Sequence, residues 1–141
     1  MKSHCEGYAY QRRYLDRKYR RPETSTDLWD RAELRSSTYP VGTIVTDHFE
    51  VLAKTPSSIT VRCGDSPRKM EVRESDGLFE MTAEVKKEEG VVEFGLKSVF
   101  FNGLAQPDQV GPKGPMKGYE QWLHQHYDRI LMETAIGECM R

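Results

Sequence analysis

The feature that most constrains this chain is the alternation of apolar and polar residues in two consecutive runs, 78–87 (LFEMTAEVKK) and 91–101 (VVEFGLKSVFF). Successive side chains of a strand point to opposite faces of a sheet, so each run predicts a strand with one apolar face. The residues predicted on that face are Phe79, Met81, Ala83, Val85, Val92, Phe94, Leu96, Ser98 and Phe100. Glu-Glu-Gly at 88–90 then closes a hairpin between the two strands.

Three upstream segments also have a period of two. Residues 43–54 (TIVTDHFEVLAK) predict one strand with Val45, Phe49, Val51 and Ala53 on its buried face. Residues 59–63 (ITVRC) predict its hairpin partner, and the Gly, Asp, Ser and Pro at 64–67 are typical of a turn. Residues 69–75 (KMEVRES) predict a further short strand with Met70 and Val72 inward. The apolar face of such a sheet needs a cover.

A helix near the C-terminal end is predicted to supply that cover. Its apolar stripe, at helical spacing, consists of Tyr119, Trp122, Leu123, His126, Tyr127, Ile130, Leu131 and Thr134. The helix is predicted from about residue 119 to 138, roughly 30 Å at 1.5 Å per residue. Residues 105–118, rich in Pro and Gly, predict a loop before it. We therefore expect an α+β fold: a curved antiparallel sheet of about five to six strands packed on one long C-terminal helix, with short N-terminal helices.

The N-terminal part has a different character. Residues 1–40 predict a basic helical segment and residues 41–141 the α+β domain, together one globular unit. In 10–21 (YQRRYLDRKYRR), Tyr10, Tyr14 and Tyr19 alternate with arginines, a pattern typical of single-stranded nucleic-acid binding. The same spacing fits a short amphipathic helix with a solvated basic face, and this interpretation is favoured over nucleic-acid binding. A second short helix is predicted within 24–37.

Composition argues against several classes of protein. No apolar run of about 18 residues occurs, and MKSHCEGYAY lacks the apolar stretch of a secretory signal, so we expect no membrane span and a cytoplasmic location. Cys5, Cys63 and Cys139 are odd in number and far apart, which predicts reduced thiols. His124 and His126 would point in opposing directions on a helix and could not share a metal ion. With no nucleotide-binding motif either, we expect no metal or other cofactor.

The order of elements resembles the START-type helix-grip superfamily, which includes lipid-transfer proteins and polyketide cyclases. The amino-acid sequence of residues 41–138 is also similar to a set of fungal proteins of unassigned function near that superfamily. The segments that carry this similarity are DHFEVLAKTPSSITVRCGDSPRK, SDGLFEM, EFGLKSVFFNG and WLHQHYDRILMETA. The resemblance implies a cavity between sheet and helix for a small aromatic, polyketide or isoprenoid molecule. Any chemistry it implies is that of a cofactor-free cyclase, isomerase or dehydratase of secondary metabolism. Helix-grip domains usually begin with a long strand, which residues 1–40 do not contain.

Two polar residues interrupt the apolar faces and define the candidate site. Ser98 lies among apolar strand residues and His126 on the helix stripe, so each needs a hydrogen-bond partner if buried. His126 is either satisfied internally or is the polar anchor of an apolar pocket, with Ser98, Asp47 and Tyr127 assisting. The acid–base candidates are His126 and Asp47. The predicted lining is Phe79, Met81, Phe94, Leu96, Ser98, Phe100, Trp122, Tyr127 and Ile130, beside His126.

Alternatives to a small-ligand function remain open. If the inward aromatics fill the interior, the chain is a non-catalytic interaction or structural protein. A catalytic Cys63 is disfavoured, because its parity and that of His48 place the two side chains on opposite sheet faces. A homodimer is also predicted, since a second chain could take the place of the missing first strand at an open sheet edge.

Overall fold

The structure, a computed structural model, describes residues 13–106 and 118–139. These ranges contain helix α1, helical from 13 to 19, a 3₁₀ turn (Pro22–Thr24) and helix α2 (Arg31–Ser36). Then follow strands β1 (Ile44–Val45), β2 (Phe49–Lys54), β3 (Ser58–Gly64), β4 (Asp76–Lys86) and β5 (Val91–Phe101), and finally helix α3 (Gly118–Cys139). The predicted α+β class is confirmed, including the long C-terminal helix and the short N-terminal ones.

The strands form one antiparallel sheet in the order β1-β2-β3-β4-β5, so the sheet is an open meander with β1 and β5 at its edges. The β4–β5 hairpin is paired over its full length without a bulge, from Asp76↔Phe101 to Lys86↔Val91. This is the segment in which the sequence alternates most strictly. The predicted β2–β3 hairpin also forms, with a register shift between Val51 and Ala53.

The single strand predicted over 43–54 is wrong, because the chain reverses in the middle of it. Val45 pairs with Phe49, and Thr46 and Asp47 between them adopt positive φ angles of 55° and 51°. A left-handed backbone is uncommon for a residue other than glycine, so two in succession turn the chain sharply. The turn is held from outside the sheet, because the Thr46 amide donates to the Leu28 carbonyl at 3.2 Å.

The strand predicted over 69–75 is also wrong. Met70 and Val72, expected to point inward, are 94% and 62% exposed, whereas Arg73 is buried. The Arg73 guanidinium donates to the carbonyl oxygens of Lys69 and Pro67 at 3.3 and 3.2 Å. Arg73 thus supplies hydrogen bonds to backbone carbonyl oxygens that would bond to a neighbouring strand if this segment were itself a strand. Residues 65–75 are therefore an ordered loop between β3 and β4.

The described part of the N-terminal segment, from residue 13 onward, is attached to the sheet. Trp29 is buried and its indole N–H donates to the Thr24 carbonyl at 2.8 Å. The helix predicted within 24–37 is shorter than expected: α2 begins after Asp30, which forms a capping box with Glu33. A parallel bridge between Leu28 and Val45 joins this segment to β1.

Helix α3 contacts β5, but not through the predicted apolar stripe. The ring of His124 lies 4.8 Å from that of Phe100, and the Asp128 carboxyl group lies close to Ser98. The stripe instead faces outward, with Trp122 and Leu123 52% and 50% exposed. The buried apolar core of the described residues is correspondingly small and comprises Trp29, Val51 and Cys63.

Candidate functional site

The structure places the predicted pocket residues in two separate groups. The sheet residues Phe79, Met81, Phe94, Leu96 and Phe100 share one face and are half-buried, and the rings of Phe79 and Phe100 meet edge to face at 5.4 Å. The helix residues Trp122, His126, Tyr127 and Ile130 are exposed, as is Ser98 on the sheet. The sheet group therefore lies together on one face of the sheet, whereas the helix group is not packed over it.

The two acid–base candidates share no contact in the described part of the chain. His126 Nδ1 lies 3.0 Å from the Trp122 carbonyl oxygen, and its ring packs on that of Trp122 at 4.1 Å. Asp47 is buried in the β1–β2 turn, where its carboxylate accepts hydrogen bonds from Ser66 and Arg68. The arrangement does not join these two residues into one acid–base pair.

Asp47 belongs to an ionic cluster, which we define as Asp27, Asp47, Ser66 and Arg68. Arg68 donates two hydrogen bonds to Asp27, at 2.6 and 3.1 Å, and one to Asp47 at 2.7 Å. Asp27 also accepts the backbone N–H of Asp47 at 2.9 Å, and Ser66 donates to Asp47 at 2.6 Å. Every charged group in the cluster is thereby paired, and this favours a structural role that ties three loops together.

His48 lies beside the ionic cluster and packs against two aromatic rings. Its ring meets that of Phe49 edge on at 4.8 Å and lies 6.1 Å from that of Tyr19. Burial lowers the pKa of His48 below its ordinary value of 6.5, and the nearby Asp47 charge only partly offsets this effect. His48 is therefore held neutral.

Cys63 fits the predicted structural role. It is buried in β3, opposite Gly77, and burial raises the pKa of its thiol to about 12. A thiol that is protonated at neutral pH is a poor nucleophile.

The rings of Tyr14 and Tyr19 in the basic segment both contact Lys18 of the same segment. The Lys18 ammonium lies 5.4 Å from the ring centroid of Tyr14 and 5.0 Å from that of Tyr19, and it donates to the Tyr14 hydroxyl at 3.1 Å. These contacts are those expected of an amphipathic helix. Tyr10 lies outside the described residues.

A surface cavity of about 460 Å³ lies beside Asp27 and is lined by Thr26, Asp27, Leu28, Ser37, Pro40, Gly42, Thr43 and Ile44. None of these residues belongs to the predicted pocket. Among the residues that the structure describes, no group of three or more His, Cys, Asp or Glu side chains is placed to hold a metal ion. Nor does any helix in 13–106 or 118–139 have the length and apolar character needed to cross a membrane.

Large apolar side chains are exposed along α3. We define the α3 apolar surface as Tyr119, Trp122, Leu123, Tyr127, Ile130 and Leu131, which are between 40% and 71% exposed. At its N-terminal end Tyr119 stacks on Trp122, with ring centroids 6.3 Å and planes 23° apart. Asp128 lies on the other side of the helix, which contacts β5, and burial there raises the pKa of its carboxyl group.

No protein-family model, no curated protein and no solved structure matches this chain significantly. The helix-grip resemblance therefore stays a prediction, and the evidence for function lies in the chain's own residues.

The sequence patterns did not identify the residues that form the ionic cluster or the contact between α3 and the sheet. Arg68 and Asp27 are 41 positions apart and no local pattern links them. The spacing of His124 and Asp128 could have predicted that they lie on the same side of the helix, because residues four apart do so. That polar side, rather than the apolar stripe, contacts the sheet.

Proposed function

We propose that the chain is a non-catalytic interaction protein whose α3 apolar surface binds another protein chain. The observation that carries this proposal is the outward orientation of the aromatic and aliphatic side chains of α3, of which Tyr119 is 71% exposed. The binding mode is that of a helix whose apolar side docks in a groove of its partner.

The size of the exposed surface supports this function. An aromatic side chain offers about 150–250 Å², and Tyr119, Trp122 and Tyr127 are 71%, 52% and 44% exposed. Those three alone then expose roughly 300 Å², about as much as the largest apolar patch of a typical monomer. Leu123, Ile130 and Leu131 extend the patch along the helix. Tyr and Trp are also among the residues that most often dominate binding energy at interfaces.

The attachment of α3 explains why this surface remains open. The helix contacts β5 through its polar side, because His124 packs on Phe100 and the Asp128 carboxyl group lies close to Ser98. Rotating α3 to bury Leu123 and Ile130 would bring these groups away from their partners. The polar contacts thus select an orientation in which the apolar side chains face outward.

Photocrosslinking tests this proposal directly. Trp122→p-benzoylphenylalanine places a photoreactive group within the α3 apolar surface, and Arg129→p-benzoylphenylalanine provides a matched control, because the Arg129 side chain is 81% exposed on the same helix. Irradiation in the source cells is expected to give a discrete protein adduct from position 122 and not from 129. The adduct should be lost when Leu123→Lys and Ile130→Lys are added.

Two results would contradict the proposal: equal adducts from positions 122 and 129, or an adduct at 122 that survives both lysine substitutions. An adduct with a second copy of the chain and one with a different protein both support an interaction function. The mass of the adduct distinguishes these two kinds of partner.

A second candidate function is binding of a small apolar molecule, with or without cyclase or isomerase chemistry. It is favoured by the half-buried sheet residues Phe79, Met81, Phe94 and Leu96, which leave part of an apolar face open, and it agrees with the helix-grip resemblance. A thermal-shift screen with palmitate, farnesol and 2-naphthol tests it, because saturation at 100 times Kd adds about 2.7 kcal/mol to stability. If Phe94→Ala abolishes the stabilisation by a probe, the sheet face is part of the binding site; if His126→Leu also abolishes it, α3 is part of the site as well. No stabilisation by any probe would refute this candidate.

A further inference from the structure

The second edge of the sheet, β5, is long and regular. Its 11 residues pair with β4 without a bulge, whereas the opposite edge, β1, has only two residues. Among the described residues, no loop or helix forms a backbone hydrogen bond with β5. Natural edge strands are usually shortened, bulged or covered, because an unpaired row of N–H and C=O groups readily accepts another strand. Within 91–101 there is neither a proline nor a bulge.

The sequence of this edge is chemically symmetric about Gly95. On the face away from α3, the residues are Val91, Glu93, Gly95, Lys97 and Val99 in order. Two valines therefore flank the run at equal distances from the glycine, and one acidic and one basic residue lie between. A strand with this symmetry is complementary to an antiparallel copy of itself.

We infer that β5 pairs with β5 of a second copy of this chain, antiparallel and about a twofold axis through Gly95. In this register Glu93 lies opposite Lys97 of the second copy, Val91 opposite Val99, and Phe94 opposite Leu96. The twofold axis repeats each pair, as in any closed dimer of identical chains. The two sheets then form one continuous ten-stranded sheet, since each copy contributes five strands.

Electrostatics within one copy favour this partner. Glu93 lies directly opposite Glu84 on β4, and like charges in that position are destabilising. Lys86 offsets this by pairing with Glu93, and Lys97 pairs across the strands with Glu80 at 3.4 Å. The second copy adds Lys97 on the open side of Glu93. The result is a series of ion pairs that spans four strands, from Glu80 to Lys97 and on to Glu93 of the second copy, which its own Lys86 contacts diagonally across the strands.

Neighbouring registers lose this complementarity. A slip that centres the axis on Leu96 puts Glu93 opposite Val99 and Lys97 opposite Gly95. A slip to Phe94 puts Lys97 opposite Val91. Cross-strand pairs set sheet register, so these alternatives are disfavoured.

This inference goes beyond the proposed function, because it concerns a different surface, the β5 edge, and names a second copy of this chain as its occupant. A twofold axis perpendicular to the sheet places the same face of both copies on one side. Helix α3 of each copy, which contacts Ser98 and Phe100, therefore lies on the same side of the joined sheet. The β5 edge adds backbone hydrogen bonds that the α3 apolar surface cannot supply.

Charge reversal at the edge provides the test, with sedimentation velocity at low ionic strength as the measurement. Wild type should show a concentration-dependent dimer. Lys97→Glu places two glutamates opposite each other and Glu93→Lys two lysines, and each is expected to raise the dimer Kd at least about tenfold. A one-to-one mixture of these two variants should associate as a heterodimer, because every pair across the edge is then opposite in charge. Lys69→Glu, on the loop 65–75, is the control and should dimerise like wild type.

The mixture also separates a folding defect from a loss of pairing, because unfolded variants would not restore each other. Three results would overturn the inference: a wild type that stays monomeric up to its solubility limit, a dimer unaffected by either reversal, or single variants that do not associate when mixed. None of these would alter the adduct expected from position 122 with a different protein, so the dimer and the interaction function can fail separately.

Discussion

Asp27 and Arg68, 41 residues apart in the sequence, form a two-pronged ion pair with N–O distances of 2.6 and 3.1 Å. The Asp27 side chain is 1% exposed, whereas that of Arg68 is 33% exposed. The pair joins the N-terminal segment to the loop between β3 and β4. The backbone turn at Asp47 is tied to the same carboxylate.

Replacement of Arg68 should therefore destabilise the whole fold. Arg68→Met leaves the buried Asp27 carboxylate without its cation, and loss of one partner of a buried pair costs about 3–5 kcal/mol. We expect a value near the lower end, because Arg68 is partly exposed. Urea unfolding followed by circular dichroism measures the change.

The matched control is Lys69→Met. Lys69 pairs with Asp65 at 3.1 Å, but both side chains are well exposed, at 42% and 34%, so the loss should be under about 1 kcal/mol. Equal losses in the two variants would show that the ionic cluster does not hold the loops together.

His48 should make stability depend on pH in the mildly acidic range. Burial lowers its pKa in the folded state below the ordinary value of 6.5. Below about pH 6.5 the unfolded chain therefore takes up a proton that the folded chain does not, and the free energy of unfolding falls as the pH falls. The loss approaches about 1.4 kcal/mol per pH unit and ends once the pH is below the lowered pKa.

His48→Phe removes the titrating group and keeps a ring beside Phe49. Unfolding free energies of wild type and variant, measured in urea between about pH 7.5 and 5, should diverge, with the wild type losing more. Parallel curves for the two proteins would contradict the burial of a neutral His48.

Gly64 should tolerate no side chain. Its φ angle is +119°, and a β carbon there would lie 2.3 Å from the Ser75 carbonyl oxygen. Gly64→Ala is expected to cost more than about 3 kcal/mol, because a backbone oxygen that is held by the Asp65 amide has to move. Gly90→Ala also has a positive φ, +66°, but meets nothing within 4 Å, so it should cost about 1 kcal/mol. Thermal unfolding of both variants compares the two sites, and similar melting temperatures would argue against the close approach at Gly64.

The strands that the sequence predicts correctly are those in which the local pattern and the pairing agree. Residues 78–101 alternate strictly, and β4 and β5 form there with complete pairing. In 43–54 the parity of Val45, Phe49 and Val51 is also consistent with one strand, yet the chain reverses at Thr46 and Asp47. The reversal depends on Leu28 and Asp27, which lie far from it in the sequence.

Periodicity could not predict the orientation of α3 for a similar reason. The spacing of Leu123, Tyr127 and Ile130 identifies an apolar side of the helix but not what covers it. Ser98, predicted as a buried polar group, is exposed and lies close to the Asp128 carboxyl group. The symmetry about Gly95, in contrast, is a property of the sequence itself, although only the strand order shows that β5 is an edge.

A measurement of the solvent exposure of Trp122 shows whether the apolar side of α3 faces outward. The chain has two tryptophans, of which Trp29 is 3% and Trp122 52% exposed. Labelling with 5-fluorotryptophan gives one ¹⁹F NMR signal for each, and Trp122→Phe assigns them. A soluble gadolinium chelate is then added under conditions in which light scattering shows single chains. We expect strong broadening of the Trp122 signal and little of the Trp29 signal, with protection of Trp122 once a partner chain binds. A Trp122 signal that is protected to the same degree as Trp29 in the single chain would show that the α3 apolar surface is buried within one copy, and would contradict the proposed interaction function.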